Sequence, residues 1–170
     1  MPQLSSSLFQ LKKDRARTEA ERLFLGFTAG DQAYAVAVEA VREILRVPKI
    51  FTLPRVPAFV KGVFDLRGVI VPALDLKERL GLGAVEPKRG RIIVVVPGNK
   101  PLGVLVDTVV EVFRTVQEEI LPPPEMLDSA QIGFINGMVR TRDHLYLLLD
   151  PKTVLTPKEF RTLETRSWTP

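Results

Sequence analysis

The sequence predicts a mainly β fold built as small barrels or a sandwich. Three observations carry this. Apolar runs of strand length recur at a spacing of about 8–12 residues, giving about nine or ten strands. Three pairs of them flank short turns that contain Gly, at Gly30-Asp31, Arg67-Gly68 and Pro97-Gly98. Prolines number 14 in 170 residues, and several, such as Pro122-Pro123-Pro124, fall where a helix cannot run.

Taken in order, residues 1–21 read as a flexible tail, with Ser5–Ser7 followed by mixed charge from Lys12 to Arg22. Leu23–Thr28 and Ala33–Val38 are strands joined across Gly30-Asp31, and Tyr34, Val36 and Val38 share one face by period two. Glu39–Leu45 fits either a helical turn, with Val41, Ile44 and Leu45 at helical spacing, or a strand rich in β-branched residues. Pro57–Val60 reads as one helical turn with Pro in first place. Val63–Leu66 and Val69–Leu74 flank Arg67-Gly68, a tight turn whose Gly takes positive φ without steric cost. The tip of this hairpin carries one charged side chain, Arg67. Its spacing alone fits a recognition residue and a solvated turn residue equally well. Pro72 marks the second strand as an edge or a bulged strand.

Asp75 is placed to cap a short helix over Lys77–Leu80, which Gly81 and Gly83 stop. The polar stretch 84–91 reads as a seam between two lobes. Ile92–Val96 and Leu102–Val106 form a hairpin around Pro97–Lys100. Val109–Val116 has apolar residues on both faces and reads as a strand covered on both sides. Ile132–Val139 and Leu145–Leu149 make a last hairpin. Asp150-Pro151 and Thr156-Pro157 are cap-and-proline pairs that predict short closing helices, with 157–170 as a C-terminal helix or tail. No clear internal repeat stands out.

Composition bounds the function. An apolar share of 45% supports a sizeable core without staples, and with no cysteine there is neither disulfide nor thiolate chemistry. No apolar run is long enough to cross a membrane as a helix. The net charge of +4 is scattered, not banded. The aromatics Phe27, Phe51, Phe59, Phe64 and Phe113 sit in apolar runs and read as core, which argues against nucleic-acid stacking without closing that alternative. The single histidine, His144, lies in a polar turn with no nucleophile or metal-ligand set around it. Asp75, Asp107 and Asp150 each follow an apolar run, where caps and turn acceptors are expected before acid–base work. No catalytic residue, metal site or cofactor site emerges.

The chain resembles the CheW-like family of chemosensory coupling proteins. The resemblance rests on Gly30-Asp31-x-x-Tyr34, Val41-x-Glu43-Ile44, Pro57–Val63, Leu66-Arg67-Gly68-Val69-Ile70-Val71-Pro72, Asp75-Leu76, Gly103–Asp107, Val109-x-Glu111-Val112, Ile120–Pro124 and Leu147–Asp150, and covers residues 22–156. One departure is Asp65, where the family usually has Asn. The resemblance implies two intertwined five-stranded SH3-like β-barrels with a few short helices. It also implies a non-enzymatic, cofactor-free cytoplasmic adaptor at receptor arrays beneath the inner membrane. Its partners would be the regulatory domain of a CheA-type histidine kinase and the cytoplasmic tip of a methyl-accepting chemoreceptor. Val41, Glu43, Ile44 and Arg67 match receptor-binding positions; Ile50 and Ile70 match kinase-binding positions. Glu43 and Arg67 are expected to pair across a groove. Whether Val41 and Ile44 are open anchors or core is left undecided by periodicity. An adaptor of the same design serving pilus or gliding motility is the alternative.

Overall fold

The computed structural model describes residues 21–127 and 133–164. Residues 1–20, the greater part of the expected tail, lie outside the described residues, and Glu21 already belongs to a strand. Ten strands form two five-stranded sheets. The first contains β1 (Glu21–Ala29), β2 (Gln32–Ala37), β8 (Thr108–Val116), β9 (Ile135–Arg140) and β10 (Leu145–Leu149), in the order β8-β1-β2-β10-β9. The second contains β3 (Val41–Arg46), β4 (Val60–Leu66), β5 (Val69–Asp75), β6 (Arg91–Val95) and β7 (Leu102–Val106), in the order β3-β6-β7-β5-β4. Among the described residues no ladder joins the end strands of either sheet, so the expected barrels are open.

The chain leaves the first sheet after β2 and returns to it at β8. The stretch 84–91, expected as a seam between lobes, links helix α1 (Leu76–Arg79) to β6 inside the second sheet. Its polarity reflects exposure, not a boundary. Val38–Ala40, part of the segment that fitted either helix or strand, is a single 3-10 turn leading into β3. Pro57–Val60 is a β-turn closed by the Val60 N–H donating to the Pro57 carbonyl, not a helical turn. Asp150-Pro151 opens a turn in which an Asp150 carboxylate oxygen accepts from the Lys152 N–H at 2.9 Å. Thr156-Pro157 does start a helix, α2 (Pro157–Glu164), through a reciprocal cap between Thr156 and Glu159.

Strand β6 shows how one short run builds two cores. Ile92, Ile93, Val94 and Val95 are all essentially without exposed surface. Ile92 and Val94 pack with Phe64, Leu66 and Val71 inside the second sheet. Ile93 and Val95 face the other way, into a core shared with Leu25, Phe27, Tyr34 and Leu147 of the first sheet. Burial of each such side chain is worth ~1.5–3 kcal/mol, so this unbroken apolar run fastens the two sheets together. A third cluster, Phe24, Ala35, Val139, Tyr146 and Leu148, fills the first sheet.

The two sheets also repeat one another. In β4–β5, Val63 pairs with Pro72, Phe64 with Val71 and Asp65 with Ile70. In β9–β10, Met138 pairs with Leu147, Val139 with Tyr146 and Arg140 with Leu145. Each residue of the second set lies 75 positions after its counterpart in the first. The isolated bridges Phe51–Val63 and Leu121–Met138 also correspond at their second members. So do the hydrogen bonds from Asp75 N–H to the Phe59 carbonyl and from Asp150 N–H to the Phe134 carbonyl. The repeat is hidden in sequence because the strand order is permuted: β8 stands where β3 does, but β1 and β2 precede everything they match.

Candidate functional site

The Arg67-Gly68 turn has positive φ at both positions, 51° and 89°, the geometry of a two-residue hairpin whose twist matches its strands. Asp65 stabilises it: a carboxylate oxygen accepts from the Gly68 N–H at 2.7 Å, a bond the family's usual Asn offers equally through its amide oxygen. The turn thereby carries the guanidinium on a stiff two-strand arm.

Arg67 reaches across the open side of the second sheet to Glu43 on β3. Nη1 donates to Oε1 at 3.0 Å, and Nη2 donates to Oε2, a bidentate pair. Since β3 and β4 are opposite ends of the sheet, this pair spans the gap that no strand ladder closes. The Arg67 side chain is 70% exposed and that of Glu43 22%. A pair so open to water contributes little to stability. It does hold the Glu43 carboxyl below its ordinary value of 4.5, chiefly through the hydrogen bonds from Arg67.

A bulge in β3 sorts the neighbouring side chains. The register with β6 shifts between Val41 and Glu43. Val41 and Ile44 then stand opposite Val95 and Ile93, on the face toward the shared core, while Glu43 and Leu45 stand opposite Val94 and Ile92. Three-residue spacing on one face therefore arises here in a strand, not a helix. Val41 is half-buried against the shared core, whereas Ile44 is 42% exposed. Ile50 is half-buried against the inner core of the second sheet. Ile70 is half-buried on β5 opposite Asp65. Of the six residues expected to form sites, Glu43 and Arg67 are joined by side-chain hydrogen bonds; Val41 and Ile44 lie on the same strand as Glu43, Ile70 lies on β5, and Ile50 lies in the connection after β3.

Several exposed apolar residues depart from the sequence reading. Phe51, read as core, is 53% exposed; its segment touches β4 by a single bridge to Val63, too little to bury the ring, and Lys49 lies over it. Val69, next to the turn, is also exposed. The signal that could have found Phe51 is its position between Pro48 and Pro54, an extended connection without partners on both sides. Strand β8 differs too. Expected to be covered on both faces, it is an end strand with Val110 and Val112 exposed.

Asp75, Asp107 and Asp150 act as acceptors. Asp75 is fully buried; one carboxylate oxygen caps α1 by accepting from the Glu78 N–H at 3.1 Å and the other accepts from the Val85 N–H at 2.8 Å. Asp107 accepts from the Gly30 N–H at 2.7 Å. His144 stacks on Tyr146. Among the described residues no group of His, Asp and Glu is placed to hold a metal ion, and no helix is long and apolar enough to cross a membrane.

A family model described as the CheW-like domain matches residues 23–159. The chain belongs to this CheW-like family. It is 31% identical over 143 residues to "Chemotaxis protein CheW" of Rhizobium meliloti, covering 84% of this chain and 92% of that one. It is 39% identical over 116 residues to "Protein FrzA" of Myxococcus xanthus, covering 68% of this chain and 72% of the relative. The crystal structure of the scaffolding protein TtCheW from Thermoanaerobacter tengcongensis has a TM-score of 0.74 at 28% identity, covering 81% of this chain and 94% of its own. The CheW-like stretch includes both sheets, so the Glu43–Arg67 pair and the apolar residues around it lie within it.

Proposed function

We propose that this CheW-like chain is a non-enzymatic adaptor of chemosensory signalling that couples a receptor's cytoplasmic tip to a CheA-type histidine kinase in the cytoplasm. The observation that carries this reading is the family match over residues 23–159. The geometry supplies a mechanism. Ile44 offers an exposed apolar anchor and Arg67 an exposed cation on a rigid arm, a combination suited to a helical receptor tip with one apolar stripe and flanking carboxylates. Glu43 fixes the guanidinium in advance, so less side-chain freedom is lost on binding. Val41, half-buried on the same face of β3, would add apolar contact beside that anchor. Ile50 and Ile70, with exposed Phe51 and Val69, would supply apolar contacts to a second barrel-like domain, such as the kinase regulatory domain.

The test is a binding titration of the full chain against each partner separately. Arg67→Ala is expected to weaken receptor-fragment binding at least about tenfold while leaving kinase-domain binding unchanged. Ile50→Asp is expected to do the reverse. Wild-type protein that bound neither partner would overturn the reading. The alternative is an adaptor of the same design in a pilus or gliding motility pathway; the Myxococcus xanthus relative, which is not named a chemotaxis protein, leaves it open beside the main reading.

A further inference from the structure

The internal repeat gives the Glu43–Arg67 pair a counterpart. Following the ladders inward from Ala73 leads to Gly103, Val94 and then Glu43. Following them from Leu148, the equivalent of Ala73, leads to Ala35, Gly26 and then Glu111. The same walk pairs Val41 with Val109, Ile44 with Val112 and Arg46 with Arg114, and both strands carry their bulge at the same step. Arg67 corresponds, 75 positions on, to Arg142 in the β9–β10 turn. Two ends of the molecule therefore present a glutamate and an arginine at matching places.

Only one of these pairs forms. On the first sheet Glu111 accepts instead from the Tyr146 hydroxyl at 2.9 Å. Tyr146 occupies the place that Val71, whose side chain has no polar atom, holds in the second sheet. With its glutamate diverted, Arg142 has no side-chain partner among the described residues, and neither has Arg140 two positions before it. The gap stays open as a notch of about 280 Å³ floored by Phe113, which stacks on Tyr146 at 4.6 Å. The other acid on its wall, Glu119, is already engaged by the Thr115 hydroxyl at 3.0 Å, and Arg114 pairs with Glu21. Asp143 is the one carboxylate there without such a bond, against two arginines.

We infer that this notch is a docking site for an acidic segment of a protein partner, which inserts a carboxylate side chain between Arg140 and Arg142. The volume is at or below the smallest drug-sized pockets, about 300 Å³, so a single inserted side chain suits it better than a cofactor. Two arginines lining the same notch as an aromatic ring favour a planar carboxylate. The site is on the other sheet from Glu43–Arg67 and does not depend on the role proposed for that pair. Tyr146 is a positioning residue here: by holding Glu111 it keeps Arg142 available.

The experiment is fluorescence anisotropy of a labelled hexaglutamate peptide with the full chain at low ionic strength, with amide shifts followed by NMR. Arg142→Ala and Arg140→Ala are each expected to weaken binding at least about tenfold, while Lys100→Ala, which removes a cation from a distant turn, leaves it within about twofold. Tyr146→Phe is expected to weaken binding by releasing Glu111 to Arg142, and Tyr146→Phe combined with Glu111→Gln to restore it. Shifts are expected at Phe113, Thr115 and Thr141. Equal losses from Lys100→Ala and Arg142→Ala, or no rescue in the double variant, would overturn the proposal. So would displacement of the peptide by inorganic phosphate at the same concentration, which would mark a plain anion site.

Discussion

The two sheets use one backbone plan and finish it differently. In the second sheet, Glu43 and Arg67 meet and bridge the open side; in the first, Tyr146 takes the glutamate and Arg142 is left standing over a notch. Strand register, bulge position and the hydrogen bonds of the following turn agree between them. Backbone pairing is thus indifferent to which side chain occupies position 71 or 146, whereas the chemistry of the rim is decided by that choice. Where the second sheet has Val71 and a glutamate paired with an arginine, the first has Tyr146 and a glutamate that accepts from its hydroxyl.

The comparison can be broken first at its glycines. Gly62 has φ of +140°, and a methyl group there would overlap the Phe51 carbonyl oxygen; its counterpart Gly137 has no such conformation, and a methyl would sit 3.0 Å from Ile120. Gly62→Ala is expected to cost about 3 kcal/mol or more, and Gly137→Ala about 1 kcal/mol, in urea unfolding. Equal costs would mean that the two glycine sites are more alike than their backbone conformations and neighbours indicate. The aspartates come next. Asp75→Ala leaves two N–H groups without acceptors in a buried site, an expected loss of about 2–4 kcal/mol. Asp150→Ala frees one exposed N–H and is expected to cost about 0.5–1 kcal/mol.

These expectations also show what could be read from sequence. The Arg67 turn and the Asp75 cap were readable because each is decided within four residues, by a Gly at positive φ and by an acceptor before a helix. The exposure of Val110, Val112 and Phe51 was not. An end strand and a central strand can carry the same apolar residues, and only the order β8-β1-β2 reveals which one β8 is. The repeat escaped for a related reason. Val41-x-Glu43 and Val109-x-Glu111 are 68 positions apart, while Arg67 and Arg142 are 75 apart, so no single period runs through the chain. The resemblance reached Glu43 and Arg67 together, and the pairing expected of them is present; that it bridges the two end strands of the second sheet follows from the strand order β3-β6-β7-β5-β4, which no local pattern gives.

The smallest effects belong to acidity. Arg67 lowers the folded-state value of Glu43, so the pair's contribution is present above the unfolded value, 4.5, and is lost as pH falls through the folded one. Burial raises Asp75 despite its two N–H donors, so its contribution is full below the unfolded value of 3.8 and is lost as pH rises through the folded one. Arg67→Ala is expected to return the Glu43 titration, followed by NMR, to its ordinary range with little change in melting temperature. A Glu43 titration unmoved by that substitution would sever the ion pair from the account of the rim.

The way the chain leaves the first sheet and comes back has a kinetic consequence. Residues 41–106 complete the second sheet from one continuous stretch, so its contacts are comparatively local. The first sheet must join β2 to β10 in parallel across that whole stretch. Closing so long a loop carries an entropic cost that grows only slowly with length, yet it must be met before any contact rewards it. Assembly is therefore expected to begin in the middle of the chain, with both termini brought together last, and a cut near either end should cripple the same half of the molecule.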